Sequence, residues 1–175
     1  MEDRVSRIEG HLGLVPLDAL RIDNVTETLP RHGSKTYPKR RSEQITQIVI
    51  HHTAASAVQT PQAIANYHVK HNGWPGIAYH YLITPGGLIY KTNNTTSISY
   101  HAKGQNTVSL GICLIGDFST APPPEEQLLQ MEALVRHIRE ELPNVRKVIP
   151  HEQVQGSKTA CPGAMFPLGR IARLN

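Results

Sequence analysis

Histidine and cysteine side chains occupy positions in this 175-residue sequence from which they could share one metal ion. His51 and His52 end an apolar run, while His151 and Cys161 lie close together in a segment rich in glycine and proline. Neutral imidazole and thiolate are the usual zinc ligands, and three protein ligands plus water make a catalytic zinc site. A structural site would need a fourth ligand, typically from a C-x₂-C pair, which the sequence lacks. The pattern is typical of a catalytic zinc site, and its alternative is that each histidine is an ordinary surface or core residue.

Cys161 could instead act as a catalytic nucleophile, with a neighbouring histidine as its base. That arrangement would make the protein a thiol hydrolase. The H-E-x-x-H zinc motif is incomplete, because His151-Glu152 is followed by Gln155. The zinc deaminase signature, the G-x-x-x-x-G-K-[ST] phosphate loop and the G-x-S-x-G serine elbow are also absent from the sequence.

The two adjacent histidines cannot both face one ion if they lie on a strand. Gln47–His52 is rich in β-branched and apolar residues and is predicted to form a buried strand. Successive side chains of a strand point to opposite faces of the sheet. The pattern therefore predicts one ligand from this pair without choosing between His51 and His52.

Hydrophobic strands alternate with amphipathic helices from residue 45 onwards, which predicts an α/β sheet with helices packed on it. The strand at 108–115 is apolar on both faces, so we expect it at the centre of the sheet. Further strands are predicted at 47–52, 78–84, 88–91 and, on an edge, 148–150. Helices are predicted to start at Thr60-Pro61 and at Glu125, the second ending at Pro143, with a last helical turn or two around 168–174.

The N-terminal part of the chain differs in composition from the rest. Residues 28–44 are rich in proline, glycine and cations. They are interpreted either as a solvated connector or as a basic strip near an anionic substrate. We therefore divide the chain into an N-terminal extension and basic lead-in segment, 1–44, and a catalytic domain, 45–175.

The overall composition excludes several classes of protein. Eighteen lysines and arginines against 14 acidic residues give a net charge of +4, too weak to indicate a nucleic-acid partner. No apolar run of about 18 residues is present, so no membrane span is expected. The N-terminus has no apolar segment typical of a secretory signal, and without one Cys113 and Cys161 are interpreted as free thiols or metal ligands.

Four segments together resemble the motifs of the zinc-dependent N-acetylmuramoyl-L-alanine amidases of the type 2 group, which includes phage endolysins and peptidoglycan recognition proteins. Their order and approximate spacing agree with the family, and the resemblance covers about residues 45–175. The segments are 48–54 (IVIHHTA), 76–83 (GIAYHYLI), 100–106 with 109–116 (YHAKGQN and SLGICLIG), and 151–163, which ends in TACPG.

This resemblance implies a single domain, with a central mixed β-sheet flanked by helices and one zinc ion in a surface groove. It assigns the zinc ligands to His51, His151 and Cys161. Tyr79 matches a tyrosine that helps to activate the zinc-bound water or to stabilise the transition state. The final catalytic position is either Lys158 or Thr159, because the interval between the second and third ligands is about two residues longer than in many members.

The resemblance also implies a function and a substrate. His101 and Asn106 match the motif of the substrate groove and are expected to bind substrate. The expected activity is hydrolysis of the amide between N-acetylmuramic acid and L-alanine in peptidoglycan, by a phage or prophage endolysin. We expect a monomer that stays in the host cytoplasm until it is released to the wall. The alternatives are a non-catalytic peptidoglycan-binding module, against which Cys161 argues, and the thiol hydrolase.

Overall fold

The computed structural model describes residues 15–175, so residues 1–14 of the predicted extension lie outside the described part. Its centre is a six-stranded sheet in the order β1-β4-β3-β5-β2-β6. The β3–β4 pair is antiparallel and the other neighbouring pairs are parallel, which confirms the mixed sheet. The strands are β1 (Ile22–Asn24), β2 (Gln47–His52), β3 (Tyr81–Ile83), β4 (Ile89–Lys91), β5 (Ser109–Leu114) and β6 (Lys147–Pro150).

The strand β5 lies between β3 and β2 and is buried along its whole length, as its two apolar faces predicted. On the far side of β2 lies β6, with Ile50 aligned beside Pro150. Because β2 and β6 are parallel, their carboxyl ends meet at the same edge of the sheet. This register brings His51, in β2, next to His151, which directly follows β6.

Three helices accompany the sheet in the described part of the chain: α1 (Pro61–Lys70), α2 (Glu125–Glu141) and α3 (Leu168–Ala172). The Thr60 hydroxyl accepts a hydrogen bond from the Ala63 N–H, which confirms the predicted start of α1. The apolar face of α2 packs into the main core. None of these helices has the length and apolar character needed to cross a membrane.

The strand predicted at 78–84 starts later than expected, at Tyr81. The backbone at Ala78, before this strand, makes a contact that a regular ladder would not provide. The Ala78 N–H donates to Nδ1 of His68 on α1, at 3.1 Å, and the His80 N–H donates to the carbonyl of Gly111. A side chain on a separate helix thus takes the first of these donors, and the periodicity of the sequence does not reveal such a partner.

The lead-in segment packs against the sheet in this structure. β1 pairs with β4, and the buried Tyr37 hydroxyl donates to the carbonyl of Gly76 at 2.7 Å. Arg40 is also buried, with 6% of its surface exposed. Among the other basic residues of this segment, Arg31, Lys35 and Lys39 are exposed and form a cationic surface. Arg40, in contrast, points into the domain.

The Arg40 guanidinium is satisfied by backbone carbonyls. Its Nη1 donates to the carbonyls of Asn106, Thr107 and Ser109 at 2.7–2.9 Å. Its Nε and Nη2 donate to the carbonyl of Thr95. Burial lowers the pKa of Arg40 to about 10, which leaves it charged at neutral pH. One side chain of the lead-in segment therefore holds two loops of the domain in place.

We expect Arg40→Met to lower the free energy of unfolding by about 3 kcal/mol, because several buried carbonyls lose their donor at once. Chemical denaturation measures this loss directly. The neighbouring Arg41 is exposed, so Arg41→Met is a matched control and should change stability by less than about 0.5 kcal/mol. Equal stability of the two variants would contradict the role assigned to Arg40.

Candidate metal centre

Three potential metal ligands converge at the carboxyl ends of β2 and β6. The ligand atoms of His51, His151 and Cys161 all lie within 4.8 Å of one another. Nδ1 of His51 is 3.8 Å from Sγ of Cys161, and the two imidazole rings are 4.5 Å apart between centroids. Ligands of a tetrahedral zinc ion are separated by about 3.3–3.6 Å, given the usual Zn–N and Zn–S bond lengths. The donor types are those of a zinc site, and the three ligand atoms are near enough to one another to share a metal ion.

Backbone hydrogen bonds hold the loop at 152–161, here called the cysteine loop, against the strand ends. The Glu152 N–H donates to the carbonyl of Cys161 at 2.8 Å, which joins the segments that carry two of the ligands. The His52 N–H donates to Sγ of Cys161 at 3.4 Å. A thiolate is stabilised by such donors, so the backbone of β2 helps to prepare Cys161 as a ligand.

The structure separates the two adjacent histidines as strand alternation requires. His51 faces the other ligands. Nδ1 of His52 instead accepts a hydrogen bond from the Phe118 N–H at 3.1 Å, and its ring lies 5.8 Å from that of Phe118. The His52 ring is therefore held by a structural contact and lies outside the ligand set.

Burial sets the protonation of the ligands. It is the main cause that lowers the pKa of His51 well below its ordinary value, with a further contribution from the neighbouring His101 and His151. Burial raises the pKa of the Cys161 thiol to about 11. A neutral imidazole is ready to bind a metal, whereas the thiol needs a nearby cation to be held as thiolate.

The three side chains open into a groove of about 290 Å³. Tyr79 lines this groove, with its ring 5.3 Å from that of His51. Burial, followed by the proximity of Cys113 and Cys161, raises the pKa of Tyr79 well above its ordinary value. Its phenol is therefore protonated at neutral pH, and it can act as a hydrogen-bond donor.

The two candidates for the final catalytic position have different surroundings. Thr159 lines the groove, and its hydroxyl oxygen accepts a hydrogen bond from the Cys161 N–H at 3.2 Å. That contact leaves the hydroxyl proton free to be donated. Lys158 is exposed and is not among the residues that line the groove.

The two expected substrate-binding residues are also placed differently. His101 lines the groove, but it is buried and both its ring nitrogens face protein atoms. Oδ1 of Asn106 accepts a hydrogen bond from the Ala102 N–H at 2.7 Å, within the loop that follows His101. Asn106 is not among the lining residues, and its visible contacts shape this loop.

Three lining residues, His68, Trp74 and Tyr100, were not anticipated as part of the site. Trp74 and Tyr100 contact each other edge to face at 6.2 Å and form an aromatic wall. Burial lowers the pKa of His68 to about 4, which fits its role as an acceptor for the backbone. The sequence positions of the two aromatic residues could have indicated that they belong to the site. Tyr100 directly precedes His101, and Trp74 directly follows the turn that ends α1.

The fold and this groove define the class of protein. The chain belongs to the N-acetylmuramoyl-L-alanine amidase family, Amidase_2, whose sequence profile matches residues 41–164. It is similar to the solved N-acetylmuramoyl-L-alanine amidase LysC from Clostridium intestinale URNW, with a TM-score of 0.73 and 32% identity over 89% of this chain and 97% of that one.

Two further relatives belong to different branches. The solved Ph2119 endolysin from Thermus scotoductus MAT2119 bacteriophage Ph2119 has a TM-score of 0.75 and 29% identity, over 88% of this chain and 98% of that one. The peptidoglycan-recognition protein SC1a of Drosophila melanogaster is 31% identical over 124 residues, which are 66% of this chain and 66% of that protein. The match thus spans about two thirds of the length of this curated relative.

Proposed function

We propose that this protein is a zinc-dependent peptidoglycan hydrolase that cleaves the amide between N-acetylmuramic acid and L-alanine of the stem peptide. One observation carries the proposal: the ligand atoms of His51, His151 and Cys161 lie within 4.8 Å of one another at the wall of an open groove. Tyr79 and Thr159 line the same groove as the ligand set, so both residues border the space that we assign to the substrate. The family membership supports the choice of bond.

His51, His151 and Cys161 would hold the zinc ion, which would supply activation of water and polarisation of the scissile carbonyl. The protein contributes donors to the negative charge that develops on the carbonyl oxygen. Tyr79 offers a protonated phenol, and Thr159 a hydroxyl proton that its contact with the Cys161 N–H leaves free. Groups that are held in place before the reaction stabilise such charge without reorganising. The departing amine needs a proton, and we assign the relay of that proton to the Tyr79 hydroxyl.

The thiol-hydrolase alternative is disfavoured by the surroundings of Cys161. A thiol nucleophile needs a thiolate paired with a protonated base. Burial raises the pKa of Cys161 and lowers that of His51, the imidazole 3.8 Å away. Both shifts keep this pair neutral, so it does not form a thiolate–imidazolium pair unaided.

The alternative that the protein only binds peptidoglycan is suggested by its likeness to a protein named for peptidoglycan recognition. Cys161 favours catalysis, because a receptor that only binds peptidoglycan has no need of a thiolate zinc ligand. The two solved bacterial and phage neighbours support the endolysin branch of the family. Synthesis in the host cytoplasm, a monomeric state and substrate contact by Asn106 stay predictions.

The test is the chemical identity of the product. Purified cell wall is incubated with the zinc-loaded protein, and the new amino termini and reducing sugar ends are quantified. We expect free amino termini of L-alanine and no new reducing ends. Chelation should abolish the release and added zinc should restore it. Reducing ends would indicate a glycosidase, chelator-resistant release would indicate the thiol hydrolase, and wall binding without release would indicate the receptor.

A further inference from the structure

We propose that His101 is a positioning residue, which fixes the ring orientation and tautomer of His51 so that Nδ1 of His51 is presented to the metal. The proposal rests on the proposed function only in treating His51 as a zinc ligand. It assigns His101 a role behind the metal centre, in place of direct contact with substrate.

The two nitrogens of the His51 ring face different partners. Nδ1 is 3.8 Å from Sγ of Cys161, on the side where the ligands converge. Nε2 is 3.1 Å from Nδ1 of His101, on the opposite side. A ligand histidine commonly donates its second ring N–H to an acceptor, which fixes both its orientation and its tautomer. In this protein the imidazole of His101 occupies the position expected for that acceptor.

A chain of hydrogen bonds assigns the direction of this contact. The Ser109 hydroxyl donates to the carbonyl of Gln105 at 2.6 Å, so its oxygen faces His101 as an acceptor. Nε2 of His101 lies 3.3 Å from this hydroxyl oxygen and 3.4 Å from the carbonyl of the same serine. With two acceptors around it, Nε2 of His101 carries the ring proton. Nδ1 of His101 then has a lone pair, and it accepts a hydrogen bond from the N–H at Nε2 of His51.

The consequence for the metal follows from the chemistry of neutral imidazole. Such a ring carries one proton, so a proton on Nε2 of His51 leaves a lone pair on Nδ1. The opposite tautomer would place a proton on Nδ1 and block the ligand position. The hydrogen bonds that run from Ser109 through His101 to His51 thus favour the tautomer of His51 that can bind zinc, even when no ion is bound.

Two features hold the His101 ring in this position. A Cβ on Gly111 would lie 2.7 Å from Cγ and 2.8 Å from Nδ1 of His101, so the ring packs directly on a strand backbone that lacks a side chain. The loop from Asn106 to Ser109 is held by the carbonyl contacts of Arg40. His101 is only 6% exposed, and with both nitrogens engaged it has no ring nitrogen free for substrate.

Nitrogen-15 NMR of the imidazole groups in the zinc-free parent protein tests the proposal without any substitution. We expect both His51 and His101 to carry their proton on Nε2. A proton on Nδ1 of either ring would overturn the proposal. Because the parent protein is used, failure of a variant to fold cannot obscure this result.

Zinc affinity, measured by competition with a chromogenic chelator, gives a second readout. We expect His101→Leu to weaken zinc binding about 10–100-fold, since it removes the partner of a ligand. His101→Asn should recover part of this affinity, because its amide oxygen can accept from His51. The control is His137→Leu, which removes an imidazole that lies on α2 beside Glu141 and outside the ligand set. Parent affinity in His101→Leu, or an equal loss in the control, would overturn the proposal.

These measurements are independent of amide cleavage. Zinc binding with the expected tautomers, in a protein that releases no L-alanine amino termini, would overturn the proposed function and leave the role of His101 standing. Amidase activity combined with parent zinc affinity in His101→Leu would do the reverse.

Discussion

Cys161→Ala is expected to lose stoichiometric zinc and to reduce kcat/KM for wall hydrolysis by at least about 10³-fold, or about 4 kcal/mol of transition-state stabilisation. The physical reason is that only two imidazoles, His51 and His151, remain to hold the ion. Zinc content by atomic emission and release of L-alanine amino termini are measured on the same preparation.

The chain offers a matched control in its other cysteine. Cys113 is fully buried in β5, aligned beside His51 in the neighbouring strand, and its side chain lies outside the ligand set. Cys113→Ala should therefore retain zinc. Wall hydrolysis at the parent rate by Cys161→Ala would exclude both the zinc amidase and the thiol hydrolase. Loss of zinc from both variants alike would indicate a general effect on folding.

Tyr79→Phe is expected to lower kcat about 10²–10³-fold while zinc content stays at the parent level. The substitution keeps the aromatic ring beside His51 and removes only the hydroxyl. That hydroxyl is protonated at neutral pH because burial raises its pKa, and the residue lines the ligand groove. Since the donor acts on charge that develops during the reaction, KM should change much less than kcat.

Lys158 and Thr159, which precede Cys161 in the cysteine loop, are tested in the same way. Thr159→Val keeps the shape of the side chain and removes its hydroxyl, and we expect it also to lower kcat without loss of zinc. Lys158→Ala is the control, because that side chain is exposed and does not line the groove. Parent turnover in Tyr79→Phe would remove the phenol from the mechanism, and a drop confined to Lys158→Ala would reverse the assignment of the loop.

The elements that the sequence predicted well are those whose signals are local. The start of α1 follows from an N-cap threonine and a proline at the first helical position, and α2 from a long apolar stripe with acids in its first turn. The central place of β5 follows from its two apolar faces. The late start of β3 was missed, because the Ala78 N–H donates to a histidine ring on another helix.

The sequence by itself determined which chemistry was available: two imidazoles and a thiol of the types that bind zinc, on segments whose motifs match one family. Only the tertiary structure decided how they meet. The parallel register of β2 beside β6 brings together His51 and His151, which lie about a hundred positions apart in the sequence. It also decided between His51 and His52, since strand alternation allows only one of them to join the other ligands without saying which. The role of His101 depends on a serine and a glycine of β5 and on an arginine of the lead-in segment, and no local pattern of the sequence predicts that these residues meet.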